Sequence, residues 1–207
     1  MSAEFTARLI STEEAECVRE DILAQAPPDV RTRAASCIRK DKAFQIAAAD
    51  WYMRRMAAEE GLGTADEIRI GHEESGKPFL ISGGERAGKH ISVSHCGGYI
   101  YLCMADGPIG CDVEKIRRLP VNDGLKGFFS ETDLAAIRAA DRPDVLLTRI
   151  WTRREAFAKL TGIMEGLRSR SFHDREAAEK LAYMYSVGFK VKRDAEKAAA
   201  YRKETAG

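Results

Sequence analysis

The sequence contains no run of about eighteen apolar residues, the length that a membrane-spanning helix needs. Residues 1–20 also lack an apolar stretch of signal-peptide length. A surplus of one charge sign is missing too, since 33 basic and 32 acidic residues leave a formal net charge of +1. These absences predict a soluble, cytoplasmic protein without a membrane partner. They also predict no general attraction to nucleic acid.

The spacing of the cysteines suits no common cysteine site. They form an odd set of five, and no two of them have the C-x-x-C spacing of zinc and redox motifs. Neither a disulfide framework nor a structural zinc site is therefore expected, and we interpret the thiols as small buried hydrophobic side chains. They are Cys17, Cys37, Cys96, Cys103 and Cys111.

Tracts rich in proline, glycine and serine, which act as flexible linkers, are also missing. What is present is an ordinary globular composition, with 44% hydrophobic and 31% charged residues in a chain of 207. This composition excludes disorder and collagen-like structure and is sufficient for a sizeable core. It favours one domain, or two closely packed halves, over separate modules.

Helical signals dominate the first part of the chain. Residues 11–14 have the Ser-x-x-Glu spacing of a capping box, and apolar residues follow at helical intervals, which predicts a helix over 12–25. Two prolines beginning at Pro27 end this helix. Asp29 can cap a second helical stretch, alanine-rich and locally basic, that runs toward Gly61.

From Glu67 to Glu114, short β-rich runs alternate with glycines, which predicts several adjacent strands. The runs are EIRI, KPFLI, KHISVSH, YIYLCMA and IGCDVE. Helical signals then return, with Ser130 as the expected N-cap of one helix and a second helix over about 144–161. The order along the chain is thus helices, then strands, then helices.

Residues 173–207 differ in texture from the rest. A helix, a turn at Gly188 and a second helix from about Asp194 resemble one unit of the tetratricopeptide-related repeats. A single unit cannot bury its own apolar face and must pack on something else. Two interpretations stay open: a helical hairpin that completes the fold, or a repeat with a binding role of its own.

Two carboxylates close the last predicted strand. Asp112 and Glu114 are two positions apart, so both side chains should project from the same face of a strand. Adjacent like charges are costly without a compensating cation, and hard carboxylate oxygens suit Mg²⁺. The alternative is a solvated pair or a pair of salt-bridge partners on the surface.

Two further groups are candidates. Trp151, Glu155 and Lys159 follow one another at intervals of four and share one face of a predicted helix. An ordinary surface ion pair is the alternative, although it does not account for the tryptophan. The last group combines Lys77 in a tight turn with His95 near a strand end, and an isolated histidine is more often structural than functional.

Taken in order, the segments GKPFL, ISVSH, IGCDVE, FFSETD and WTRREAFAKLTG resemble the 4′-phosphopantetheinyl transferases of the larger, surfactin-synthetase-activating type. The resemblance runs from about Pro27 to Leu167. Its most specific part is G-x-D-x-E, followed about forty residues later by W-x-x-[KR]-E-A-[FY]-x-K. Each element alone is common, whereas the ordered set is not.

The resemblance implies transfer of the phosphopantetheine arm of coenzyme A to a serine of an apo acyl or peptidyl carrier protein. Mg²⁺ would assist, and adenosine 3′,5′-bisphosphate would be released. The implied α+β fold has two similar halves, about 1–110 and 111–172, related by a pseudo-twofold axis. Coenzyme A would lie in the cleft between them. This domain over 1–172, with the hairpin over 173–207, is expected to be monomeric.

The resemblance also implies roles for individual residues. Asp112 and Glu114 match the first two metal ligands. Glu155 matches a third acidic residue, which is either a ligand or the base that acts on the serine, and Lys159 matches a lysine that faces the pyrophosphate. The nucleotide end of coenzyme A, and above all its 3′-phosphate, is assigned to four residues. These are Arg33, Lys77, Ser94 and His95.

The sequence departs from the family pattern in four places, one of which is an extra acidic residue, Glu165, in the glycine-rich tail of the helix motif. Phe44-Gln45-Ile46 stands where an arginine and a small hydroxyl residue are usual, and Arg154 stands where lysine is usual. Beyond Phe172 the family continues into strands, whereas the repeat-like hairpin is predicted here. Two alternatives therefore stay open: a catalytically impaired relative that binds a carrier or another partner, and an unrelated Mg²⁺-dependent phosphohydrolase.

Overall fold

The computed structural model shows an α+β protein, which confirms the predicted class. Helices accompany one antiparallel sheet of five strands. Among the described helices, none combines the length and the apolar character needed to cross a membrane. The structure describes residues 5–116, 125 and 129–161.

The chain forms two compact units. Of the described residues, the first unit holds 5–115 and 152–161, and the second holds 116, 125 and 129–151. The division into two similar halves at about residue 110 stays a prediction. The predicted hairpin over 173–207 lies outside the described residues.

The sheet belongs to the first unit and is antiparallel throughout. Its strands lie in the order β1-β5-β4-β3-β2. A two-residue turn of Gly97 and Gly98 joins β4 to β5, and both glycines have positive φ angles of 60° and 90°, which side chains disfavour. The strands are β1 (Phe5–Ser11), β2 (Arg69–His72), β3 (Pro78–Ser82), β4 (Glu85–Cys96) and β5 (Tyr99–Ala105).

β1 is a strand that the sequence patterns do not predict. Of its large apolar side chains only Ile10 is buried, whereas Phe5 and Leu9 are exposed, so the strand has a weak amphipathic pattern. It pairs along its whole length with β5, beginning with Phe5 opposite Ala105. Pairing between such distant segments leaves no local signal in the sequence.

The predicted helix over 12–25 is divided into two. Ser11 caps the first part as expected, accepting the Glu14 N–H at 3.0 Å. The chain then tightens, because the Val18 N–H donates to the carbonyl three residues earlier. The second predicted stretch is also divided, and its N-cap is Pro27 rather than Asp29. The helices are α1 (Thr12–Glu16), α2 (Arg19–Ala24), α3 (Pro28–Ala35) and α4 (Lys40–Glu59).

The core of the first unit lies between α4 and one face of the sheet. Ile91, Ile100 and Leu102 from β4 and β5 are in one buried cluster with Ala48 and Met53 from α4. All five are almost completely buried. This packing fixes which face of β4 points inward and which is left for polar side chains.

The second unit confirms two sequence predictions. Ser130 caps α5 (Glu131–Ala139) in a capping box with Asp133. α6 (Pro143–Thr161) matches the helix expected over about 144–161, and its last ten residues belong to the first unit. Phe129 and Trp151 pack in a buried cluster, with ring centroids 6.3 Å apart.

The cysteines only partly follow the prediction. Cys103 and Cys111 are buried, Cys37 and Cys96 are half-buried and Cys17 is exposed. None of the five, all of which the structure describes, is in a disulfide. Cys17 is the C-cap of α1, where a small side chain can stay at the surface at little cost.

Arg54 joins three parts of the first unit. Its guanidinium donates to Asp50 Oδ2 at 2.8 Å, to the carbonyl of Ala65 at 2.7 Å and to that of Gln25 at 3.1 Å. Both charged side chains are buried, with 2% of Arg54 and 7% of Asp50 exposed. Burial raises the pKa of Asp50, and the charge-assisted bond from Arg54 opposes this effect.

Replacing Arg54 with leucine should lower the free energy of unfolding by about 3–5 kcal/mol, because it leaves a buried carboxylate and two carbonyls without their donor. Urea denaturation measures this loss. The control is Arg8→Leu, which breaks an exposed ion pair with Glu59 and should cost no more than about 1 kcal/mol. Equal losses in the two variants would contradict the structural role of Arg54.

Candidate active site

The acidic segment at 110–114 is not a strand, contrary to the prediction. No residue from 106 to 116 is in a strand, and the Cys111 N–H donates to the side chain of Ser92 at 3.0 Å rather than to a backbone carbonyl. The segment therefore lies along β4 without extending the sheet. Its β-like sequence reflects burial and extended backbone, which a strand shares.

Side chains of β4 hold both carboxylates of this segment. Ser94 Oγ donates to Asp112 Oδ1 at 2.7 Å, and Cys96 Sγ donates to Glu114 Oε2 at 3.0 Å. Ser94 and Cys96 are two positions apart on a strand and so share one face, which is opposite to the face that Ile91 adds to the core.

The segment is pressed against α6 at Gly110. A Cβ atom at this position would lie 2.0 Å from the carbonyl oxygen of Ala156 and 2.6 Å from the backbone nitrogen of Leu160. No side chain fits in that space, because such distances are far shorter than van der Waals contact. Glycine at position 110 thus permits the approach that places Asp112 beside α6.

Lys159 supplies a cation to Asp112. Lys159 Nζ donates to Asp112 Oδ1 at 2.8 Å, and Ser94 donates to the same oxygen. The carboxylate side chain is 0% exposed, and the lysine side chain is 28% exposed. Glu155, one helical turn earlier, is also buried, with 6% exposed. An ordinary surface ion pair of Glu155 and Lys159 would leave Glu155 exposed to solvent, so the burial of Glu155 argues against this alternative.

A neutral thiol lies next to Asp112 in the chain. Hydrogen bonding to Cys103, together with burial, raises the pKa of Cys111 above its usual range. Cys111 therefore stays protonated at neutral pH and adds no negative charge beside the carboxylate. Its role here is packing, as expected for small buried thiols.

The residues assigned to the nucleotide are more dispersed. Lys77 Nζ donates to the Leu160 carbonyl at 2.9 Å, near the end of α6 and close along that helix to Lys159. His95 is half-buried on β4, on the opposite face from Ser94. Arg33 is exposed on α3. Burial lowers the pKa of His72, and the positive charge of Arg33 lowers it further. A single pocket of Arg33, Lys77 and His95 stays a prediction.

Carboxylate oxygens are the ligands that Mg²⁺ prefers, and it commonly takes only one or two from a protein. Asp112 and Glu114, two positions apart, supply this donor chemistry, and Glu155 is buried on α6. Across the described part of the chain, no set of three or more histidine, cysteine, aspartate or glutamate side chains is arranged to hold a metal ion. The donor set fits Mg²⁺ in type.

Ser92, Cys96 and Gly110 are functional residues whose roles the sequence motifs do not mark. A signal for the first two exists in the alternation S-V-S-H-C, because one face of residues 92–96 carries only small hydrogen-bonding side chains. The glycine is part of the G-x-D-x-E motif, but its purpose depends on a helix about forty residues later in the chain.

Comparison with protein families and curated proteins gives consistent results. The sequence model of the 4′-phosphopantetheinyl transferase superfamily matches residues 108–201. The 4′-phosphopantetheinyl transferase AcpT of Salmonella typhimurium is 31% identical over 157 residues, which are 74% of this chain and 71% of that protein. The 4′-phosphopantetheinyl transferase Sfp of Bacillus subtilis is 25% identical over 145 residues, 69% of this chain and 63% of Sfp.

Another Bacillus subtilis protein, named 4′-phosphopantetheinyl transferase, is 28% identical over 144 residues, 68% of this chain. The chain thus spans 62% and 63% of the two Bacillus proteins, less than two thirds of their length. The family match includes most of the segment 173–207. The likeness of that segment to a tetratricopeptide repeat stays a prediction.

Gly110→Ala should separate the acidic segment from α6, because the added methyl group meets helix backbone. We expect a loss of about 1–3 kcal/mol in the free energy of unfolding, typical of overpacking, as measured by urea denaturation. Gly88→Ala is the matched control, since a Cβ at Gly88 on β4 has no atom within 4 Å. Similar behaviour of the two variants would show that the contact at Gly110 is not tight.

Proposed function

The chain belongs to the 4′-phosphopantetheinyl transferase superfamily, and we propose that it transfers 4′-phosphopantetheine from coenzyme A to a serine of an apo carrier protein. The carrier is an acyl or peptidyl carrier of fatty-acid, polyketide or nonribosomal-peptide synthesis. Within the superfamily we assign the chain to the larger, surfactin-synthetase-activating type, which the order of its motifs and its similarity to Sfp support.

One observation supports this proposal above all. Asp112 is an almost fully buried carboxylate whose Oδ1 accepts hydrogen bonds from Ser94 and Lys159. A protein that only binds a carrier has no need for a buried carboxylate paired with a lysine in this way. A site that handles phosphate oxygens needs both fixed carboxylates for a cation and a lysine beside them.

Asp112 and Glu114 are the residues that would hold Mg²⁺, and the family resemblance proposes Glu155 as a third. When bound, the ion would neutralise charge on the pyrophosphate oxygens. Lys159 adds a fixed cation at the same place, since its ammonium group is already 2.8 Å from Asp112. Glu155 either adds a ligand or accepts the proton of the carrier serine, and both roles need an ionised carboxylate.

The proposed reaction is a displacement at phosphorus. The serine oxygen bonds to the phosphorus that bears pantetheine, and the bond from this phosphorus to the bridging oxygen breaks. Adenosine 3′,5′-bisphosphate leaves with that electron pair, and the serine proton passes to a base. Lys77, His95 and Arg33 are proposed to bind the nucleotide end, including the 3′-phosphate. The family resemblance assigns this role to Ser94 as well, although its hydroxyl donates to Asp112 here.

Incubation of the chain with coenzyme A, Mg²⁺ and an apo carrier protein should add the mass of one phosphopantetheinyl group to the carrier, as read by intact-mass spectrometry. Asp112→Asn should abolish the gain because it removes the buried negative charge. Asp106→Asn is the control, since Asp106 is 63% exposed and pairs with Lys89. Circular dichroism checks that both variants fold.

Three outcomes of this assay would contradict all or part of the proposal. Consumption of coenzyme A at the same rate without any carrier would indicate a phosphohydrolase. Binding of the carrier without a gain in mass would indicate a partner-binding protein. Full activity of Asp112→Asn would remove the carboxylate from the proposed chemistry even if transfer occurs.

His95→Ala should raise the KM for coenzyme A by about tenfold, because a hydrogen bond to a charged group typically contributes about 1.5–3 kcal/mol. The KM for dephospho-coenzyme A should change little, since that molecule lacks the 3′-phosphate. His90→Ala on the same strand is the matched control. Equal effects of His95→Ala on both substrates would show that His95 does not recognise the 3′-phosphate.

A further inference from the structure

The pairing between β4 and the acidic segment is regular. Ser94 donates to Asp112 and Cys96 donates to Glu114, so each donor precedes its acceptor by 18 residues. Two donors at alternate positions of β4 are thus hydrogen-bonded to two carboxylates at alternate positions of the neighbouring segment. Such a pairing sets the direction of both carboxylates at once.

The bond from Ser94 is well shielded from water. Ser94 is 3% exposed and the Asp112 side chain is 0% exposed. The distance from Ser94 Oγ to Asp112 Oδ1 is 2.7 Å, and the Lys159 ammonium pairs with the same oxygen. Hydrogen bonds in such a charged cluster are stronger than those between neutral groups. Rotation of the Asp112 carboxylate away from this donor would therefore be costly.

The same bond limits what else Ser94 can do. A serine hydroxyl has a single proton to donate. While it donates to Asp112 it cannot also donate to a phosphate oxygen. His95, the next residue, projects from the opposite face of β4, so the two side chains do not reach one phosphate together from a regular strand.

We infer that Ser94 and Cys96 are positioning residues, which aim the carboxylates of Asp112 and Glu114 for the cation, and that Ser94 is not a ligand of the nucleotide phosphate. This inference rests on the proposed function. Residues that orient metal ligands typically change metal affinity or activity by about 10–100-fold when they are replaced. Ser92 completes the arrangement by holding the backbone at Cys111.

The test measures Mg²⁺ binding to the full chain by calorimetry, with coenzyme A present and no carrier protein, so that no turnover occurs. Ser94→Ala and Cys96→Ala should each raise the Kd for Mg²⁺ by about tenfold or more. Cys96→Ser keeps a donor at the same place and should restore binding to about the wild-type level. Ser82→Ala is the control, because that hydroxyl donates to the Leu62 carbonyl elsewhere in the unit.

A second readout separates positioning from phosphate binding. The ratio of KM values for coenzyme A and dephospho-coenzyme A should be unchanged in Ser94→Ala, whereas a phosphate ligand would alter this ratio. An unchanged Mg²⁺ Kd with an altered KM ratio would overturn the inference. If Cys96→Ser and Cys96→Ala weaken Mg²⁺ binding equally, the inference is overturned for Cys96.

Folding and function are monitored independently. If Ser94→Ala lowers the melting temperature enough to prevent titration, Ser94→Cys keeps a weaker donor of similar shape and should give an intermediate Kd. Absence of carrier modification by the wild-type chain would refute the proposed function. The order of Mg²⁺ affinities among the variants would still decide whether Ser94 and Cys96 orient the carboxylates.

Discussion

A carboxylate removed from water constrains this part of the molecule. Asp112 has no exposed side-chain surface, and an ionised group in such a place is stable only with a cation and hydrogen-bond donors around it. Lys159 provides the cation and Ser94 provides a donor. These two partners come from α6 and β4. Asp112 therefore constrains how this helix and this strand are placed.

The rest of the site follows from that requirement. Lysine can reach Asp112 only if the acidic segment approaches α6, and Gly110 permits this by offering no side chain to the helix backbone. The polar face of β4 is available because its other face packs on α4 in the core. The apolar packing of one layer therefore decides where the hydrogen-bond donors of the site are placed.

Much of this site could be predicted from the sequence because its parts are local. The D-x-E pair, the helix that carries Glu155 and Lys159 and the Ser130 cap all have short-range patterns. What could not be predicted depends on distant segments. β1 forms by pairing with β5, which is about ninety residues away in the chain. The helix is interrupted at Val18, where the hydrogen bonding tightens. The irregular path of 110–114 is held by side-chain hydrogen bonds from β4. The β-propensity of residues 110–114 alone indicates a strand.

The most direct test of this account is a crystal structure of the chain with coenzyme A and Mn²⁺, in which anomalous scattering locates the metal. The account predicts one strong anomalous peak at the carboxylates of Asp112 and Glu114, with the pyrophosphate beside it and Ser94 still bonded to Asp112. A peak elsewhere, or bound coenzyme A with Ser94 turned toward its 3′-phosphate, would contradict it.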